Sequence, residues 1–198
     1  NNFGGEKVIK TSHSNTASYA ITESGKVYSW GRNTNGLLGL GNTDNAYYVS
    51  IPNQIESLSG VNIVDVVADY YSAYAISDTG KLYAWGDNVS GQLGIGSDSK
   101  RYSPQLVTAN IGSEEVVELT KYHNAVYALT RSGKVFSWGQ ADYGILGRES
   151  SYATRYTSRY QPNEITDLSD KNIVDIAEGF AMSKTGDVYY WGFYSLYN

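Results

Sequence analysis

The chain has no cysteine, one methionine, two histidines and three prolines in 198 residues, and each shortage removes a class of protein. Without thiols there is neither a disulfide framework nor a thiolate metal site. His13 and His123 stand far apart with no spaced histidine or carboxylate companion, so no metal centre and no other cofactor is expected. Positive charge is short as well: 15 Lys and Arg stand against 20 Asp and Glu, for a formal net charge of −5 and a pI of about 5.0. The basic residues are scattered, whereas a phosphate backbone is gripped by a basic stripe, so nucleic acid is not an expected partner. No apolar run approaches the roughly twenty residues that span a bilayer, and no basic and apolar leader opens the sequence. A soluble segment without its targeting signals is the expectation. The missing cysteine, the single methionine and the wealth of Asn, Ser, Thr and Tyr suit an exported bacterial protein, extracellular or at the cell surface.

What the sequence does have is a period. Trp30-Gly31, Trp85-Gly86, Trp138-Gly139 and Trp191-Gly192 lie 55, 53 and 53 residues apart. Self-similarity on this scale marks a repeat architecture whose units bury their apolar faces against neighbours. Each pair closes a stretch such as Gly80-Lys81-Leu82-Tyr83-Ala84-Trp85-Gly86, where apolar residues alternate at period two, as in a strand. Repeats counted this way begin near Gly25, Gly80, Gly133 and Gly186. Next come Gly36-Leu37-Leu38-Gly39-Leu40-Gly41, Gly91-Gln92-Leu93-Gly94-Ile95-Gly96 and Gly144-Ile145-Leu146-Gly147. Glycines this dense exclude a helix and shape a tight loop under a leucine plug.

Further along each unit stands its single proline, Pro52, Pro104 or Pro162, suited to a strand at a sheet edge. An apolar residue follows, read as Ile55, Leu106 and Ile165. Two more apolar runs close the unit, such as Ile63 to Ala68 with Ala73 to Ile76, before a Thr-Gly or Ser-Gly turn into the next Trp strand. Four short strands per unit describe an all-β fold, a β-propeller of four-stranded antiparallel blades. Trp30, Trp85 and Trp138 are expected in like environments between blades.

The succession Trp-Gly-x-Asn-x-x-Gly-x-Leu-Gly-x-Gly, complete from Trp30 to Gly41 and from Trp85 to Gly96, resembles the repeat of the regulator of chromosome condensation family. The resemblance covers nearly the whole chain and implies a propeller, commonly of seven blades of about fifty residues each. The best-known member exchanges nucleotide on a small nuclear GTPase, and relatives include secreted inhibitors of β-lactamase and ultraviolet photoreceptors. Three repeats and two half-repeats fit in residues 1–198, read as one repeat domain or a fragment of one. About twice this sequence would be needed for seven blades. An arc of a larger ring is expected, with a closed four-bladed ring or completion by another chain as alternatives.

Departures from the family pattern bear on function. The family's Gly-x-x-His loop motif is absent: its Gly positions hold Ser14, Asp69 and Tyr122, and its His positions hold Ala17, Ser72 and Ala125. Exchange-factor residues therefore do not carry over. The third repeat has Gln140-Ala141-Asp142-Tyr143 in place of x-Asn-x-x, and Arg148 in place of the last apolar residue. In the fourth, Glu178-Gly179 leads into Phe180 through a loop four residues shorter than its equivalents. That span reads either as a two-residue hairpin or as a loop missing residues, and the second is favoured because shortening would redraw a blade edge.

Tyrosine is the enriched resource, with 19 residues against four Phe. Tyr19, Tyr28, Tyr74, Tyr83, Tyr127 and Tyr189 recur at strand positions and are assigned to packing. Tyr47, Tyr48, Tyr70, Tyr71, Tyr102, Tyr122, Tyr143, Tyr152, Tyr156 and Tyr160 fall in loops, where amphipathic rings serve as contact residues. The equivalent loops Ser12 to Asn15, Asp69 to Ser72 and Lys121 to Asn124 would share one rim of a propeller. The candidate partner-binding residues are His13, Asn15, Tyr70, Tyr71, Tyr122, His123 and Asn124, set against an ordinary turn role for the same Ser, Asn and Asp residues.

Enzyme motifs are weak. Nothing resembles a nucleophile elbow; Gly36 to Gly41 lacks the helix and Lys-Ser/Thr of a phosphate loop; Asp44 and Asp98 lack calcium-loop spacing. Asn88-Val89-Ser90 fits a glycosylation acceptor but sits inside the repeat signature, where it serves the turn. A non-catalytic protein-interaction module is the leading expectation. Alternatives are a glycan-binding or adhesion propeller, a second copy completing the ring, and an exchange factor or inhibitor acting by docking.

Overall fold

Short runs of alternating apolar residues, broken every few positions by glycine turns, cannot hold a helix and pair instead as antiparallel strands. The computed structural model describes residues 2–41, 47–148 and 158–192, and its strands form four sheets. The first runs in the order β1 (Val8–His13), β2 (Ala17–Thr22), β3 (Val27–Arg32) and β4 (Tyr48–Gln54). The second has β5 (Ile63–Ala68), β6 (Ser72–Ser77), β7 (Leu82–Gly86) and β8 (Arg101–Leu106). The third has β9 (Val116–Tyr122), β10 (Ala125–Thr130), β11 (Val135–Gly139) and β12 (Asn163–Glu164). Among the described residues the fourth has three strands, β13 (Ile173–Ala177), β14 (Phe180–Ser183) and β15 (Val188–Tyr190). These are propeller blades, and the Trp strand is the third strand of its sheet.

Two compact units divide the chain, residues 1–89 with 99–107, and residues 90–98 with 108–198. In the first, Tyr19, Leu37, Leu38, Ile63, Val66 and Trp85 share one buried cluster. Tyr127, Val135, Ile145, Leu146, Ile173 and Ile176 form the corresponding cluster in the second. The leucine plug expected under the glycine loop is thus present in both.

The glycine loops owe their composition to the next indole. A Cβ on Gly39 would stand 2.9 Å from Trp85 Nε1, and one on Gly94 would stand 2.7 Å from Trp138 Nε1. Both glycines also hold a positive φ, +69° and +70°, that side-chain-bearing residues rarely adopt. Tyr102 and Tyr160 pack beneath the same loops, against Gly36 and Gly91. Their carbonyls accept the N–H groups of Gly41 and Gly96, each at 2.8 Å.

Three expectations change. Trp30 is only half-buried and meets Phe3 edge-on at 6.2 Å, whereas Trp85 and Trp138 are fully enclosed. Trp85 and Trp138 each sit on a glycine loop that precedes them in sequence. The apolar residue after Pro104 is Val107, not Leu106: Leu106 is 43% exposed and Val107 5%. Val107 N–H bonds Leu82 O at 2.9 Å, matching Ile55 on Val27 and Ile165 on Val135. Finally, Glu178-Gly179 closes the two-residue hairpin, with Ala177 opposite Phe180 and Gly179 at φ +75°. A left-handed glycine is what so tight a turn requires, and of the two readings the chain as given takes the hairpin.

Candidate interaction surface

The hairpin joining the first two strands of each sheet carries the candidate residues, and local turn chemistry sets its shape. In the first sheet Ser14 Oγ accepts from the N–H groups of Thr16 and Ala17 at 3.3 and 3.0 Å. In the second, Asp69 Oδ1 accepts from Tyr71 N–H at 3.0 Å and Ser72 N–H at 2.8 Å. These turns consume the short polar side chains and leave Asn15, Tyr70 and Tyr71 outward. The residues at the family's Gly positions, Ser14 and Asp69, are therefore turn-makers here.

Each hairpin is tied down by the Trp-Gly pair of its own sheet. Thr16 O accepts from Arg32 N–H and Tyr71 O from Asp87 N–H, both at 2.8 Å. A Cβ on Gly31 or Gly86 would overlap those carbonyl oxygens. The motif that defines the repeat thus also holds the loop that presents the tyrosines.

In the first unit the structure joins three candidates. Asn15 Nδ2 donates to Tyr70 Oη at 2.5 Å across two hairpins, and the Tyr70 and Tyr71 rings lie 5.9 Å apart. Tyr70 is 53% and Tyr71 49% exposed, an uncommon state for adjacent aromatic rings. His13 is exposed at the end of β1. In the second unit Tyr122 and His123 are exposed and meet edge to face at 4.6 Å, with His123 at φ +50°. Asn124 differs from Asn15: it is half-buried and its Nδ2 donates to Ser90 Oγ at 3.3 Å.

Other singled-out residues divide between surface and scaffold. Tyr47 and Tyr48 are exposed, and the Arg32 guanidinium lies 4.5 Å over the Tyr47 ring. Tyr102 and Tyr160 are half-buried loop supports. Tyr19, Tyr74 and Tyr127 are fully buried. Burial pushes their phenols up, Tyr127 to about 12. Asn88 is fully enclosed and donates to Ser99 O at 3.0 Å, so it serves the turn. Arg148 donates to Ser137 Oγ at 2.9 Å, and burial lowers its guanidinium to about 10. Asp44, Tyr152 and Tyr156 lie outside the described residues. Among the described residues no three His, Asp or Glu side chains gather as metal ligands, and no helix is long and apolar enough to cross a membrane.

One surface feature escapes the sequence reading. Ile9, Val64, Val117 and Val174 occupy equivalent positions in the first strand of each sheet, where the register shifts by a bulge. All four are between 43% and 59% exposed. A bulge turns a β-branched side chain out of the core, and the apolar run alone conceals which residue that is.

Residues 24–76, 79–120 and 132–180 match the Regulator of chromosome condensation (RCC1) repeat. Over 197 residues the chain is 36% identical to the mitochondrial RCC1 domain-containing protein RUG3 of Arabidopsis thaliana, covering 93% of this chain and 41% of that protein. It is 31% identical to the Arabidopsis thaliana ultraviolet-B receptor UVR8, over 87% of this chain and 38% of the receptor. Human E3 ubiquitin-protein ligase HERC2 is 30% identical over 95% of this chain, which spans only 4% of the ligase. Among solved structures, yeast RCC1 (Prp20) bound to Kap60 superposes with a TM-score of 0.77 at 26% identity, over 94% of this chain and 43% of that one. Human WBSCR16 gives 0.81 at 22% identity over 94% and 47%, a likeness of fold alone. The chain therefore spans less than half the length of each.

Proposed function

The chain belongs to the regulator of chromosome condensation repeat family, and we propose that it is a non-catalytic protein-interaction module presenting a tyrosine-rich loop face on propeller blades. The observation that carries this reading is the Asn15, Tyr70 and Tyr71 cluster: exposed rings braced by a side-chain hydrogen bond on a loop the scaffold itself tethers. Rigid, amphipathic rings give contact area at small entropic cost. Precedent in the family supports it, since yeast RCC1 is known with Kap60 bound and Prp20p for its binding to Gsp1p and histones. The ligase activity of HERC2 stays with HERC2, because the match reaches only 4% of it. Residues 1–198 are taken as one repeat domain, part of a larger ring. An exported bacterial origin draws no support from the relatives named above, which are from plant, yeast and human.

The test replaces Tyr70, Tyr71, Tyr122 and His123 together by Ala. Capture of a partner by the intact chain should be lost with no fall in melting temperature, and retained capture would rule out this face. A glycan ligand is the second reading, favoured by an amide donor beside two aromatic faces. A glycan array without signal above background disposes of it.

A further inference from the structure

A cavity of about 110 Å³ lies beside the Glu178-Gly179 hairpin in the second unit. Tyr122, Tyr127, Ile145, Glu178, Gly179 and Trp191 line it. Gly192 completes the lining, and three of the hydrogen-bond donors there are already spent. Tyr127 Oη and Trp191 Nε1 both donate to Ile145 O, the latter at 2.9 Å, and Trp191 N–H donates to Gly179 O at 3.0 Å. An anion or a neutral acceptor would find none of these groups free to bind it. Beside the Tyr122 hydroxyl and the glycine backbone, the walls offer the exposed Tyr122 ring, which meets His123 edge to face, the half-buried indole of Trp191, which meets Tyr127 at 5.5 Å, and one carboxylate, the exposed Glu178. Aromatic faces and a carboxylate have a common complement, an organic cation. The volume is smaller than the roughly 150 Å³ that admits benzene, which suits the end of an alkylamine chain.

We propose that this cavity is a binding site for a primary alkylammonium group, of the kind a lysine side chain carries, with the ammonium at Glu178 and its methylenes between Tyr122 and Trp191. The site is separate from the Asn15, Tyr70 and Tyr71 loop, which belongs to the other unit. Tyr122 belongs to both readings, so Glu178→Gln, which leaves the tyrosine face intact, is the variant that separates them.

Titrating n-butylammonium into the isotopically labelled chain tests it, following the Gly179 and Gly192 amides and the Trp191 indole N–H by NMR. Saturable shifts of all three are expected, with butyrate giving none and the neutral isostere n-butanol binding at least about twofold more weakly. Glu178→Gln should weaken the amine about two- to fivefold, as for an exposed ion pair. Tyr122→Leu should do the same through its π-face. Both positions are exposed, and unchanged dispersion of the spectrum confirms that each variant folds. Equal binding of butanol, full amine affinity in Glu178→Gln, or no saturable shift in the parent chain would each overturn the assignment.

Discussion

The Trp138 indole N–H donates to the carbonyl oxygen of Gln92 at 2.8 Å, from a glycine loop 46 residues earlier in the sequence. Trp85 makes the same bond to Leu37 O at 2.8 Å and Trp191 to Ile145 O at 2.9 Å. The repeat motif is thus two half-contacts, a loop and an indole, that meet only between successive repeats. Removing the Trp138 side chain as Ala should cost about 3–5 kcal/mol. Trp138→Phe keeps most of the apolar contact but removes the hydrogen bond to the Gln92 carbonyl, at about 0.5–1.5 kcal/mol. Urea denaturation of the two variants separates the terms, and equal losses would mean that the hydrogen bond contributes nothing.

Gly94 and Gly60 both hold a positive φ, +70° and +81°, but only Gly94 faces an indole; a Cβ on Gly60 meets nothing within 4 Å. Gly60→Ala should therefore cost only the backbone term, about 1–2 kcal/mol. Gly94→Ala adds overpacking against Trp138, a further 1–3 kcal/mol or so. Thermal unfolding of the pair gives the difference.

Leu106 and Val107 exchange the roles that the sequence suggests. Leu106→Ser should change stability by less than about 0.5 kcal/mol, whereas Val107→Ala should cost about 1–3 kcal/mol. A larger loss at Leu106, measured by denaturant midpoint, would reverse the burial assigned to them.

Charge after the bulge alternates in its effect. Lys10 pairs with Asp65 at 2.6 Å in the first unit, but in the second the equivalent residues are Glu118 and Asp175. Burial, and then the Asp175 charge, raise the Glu118 carboxyl above its usual range. A carboxyl raised on folding favours the native state while protonated, so its contribution is lost as pH climbs through the folded value. Glu118→Lys should recreate the first unit's pairing and stabilise the chain at pH 7 by up to about 1 kcal/mol. A fall in melting temperature would contradict this.

Glu6 has the opposite sign. Hydrogen bonds from Lys26 and Ser24 lower its carboxyl from the ordinary 4.5 to about 2. Its stabilising effect is whole above 4.5 and fades as pH falls towards 2. Glu6→Gln should flatten the stability profile in that window, and an unchanged profile would show that the bridge does not matter in solution.

Much of the scaffold could be read from residues alone. Trp-Gly at a constant interval, paired with glycine loops, implies repeated sheets, because period-two alternation favours strands and dense glycine favours tight turns between them. Pro52, Pro104 and Pro162 mark the fourth-strand region of their repeats for the same kind of reason, since each lacks an N–H to donate. The candidate loops were legible as turns from Ser14 and Asp69, yet not which of their asparagines would be free. Asn15 reaches Tyr70 while Asn124 is drawn to Ser90, a choice made by neighbouring loops distant in sequence.

Sequence by itself therefore determined the strand content, the turn chemistry and the repeat, all of which arise from contacts a few residues apart. Tertiary structure alone decided that Val107 replaces Leu106 in the core and that a cavity lies beside Trp191. Each of these depends on what packs against a residue from a separate strand or loop, and burial is a property of the assembled sheets that no local pattern encodes.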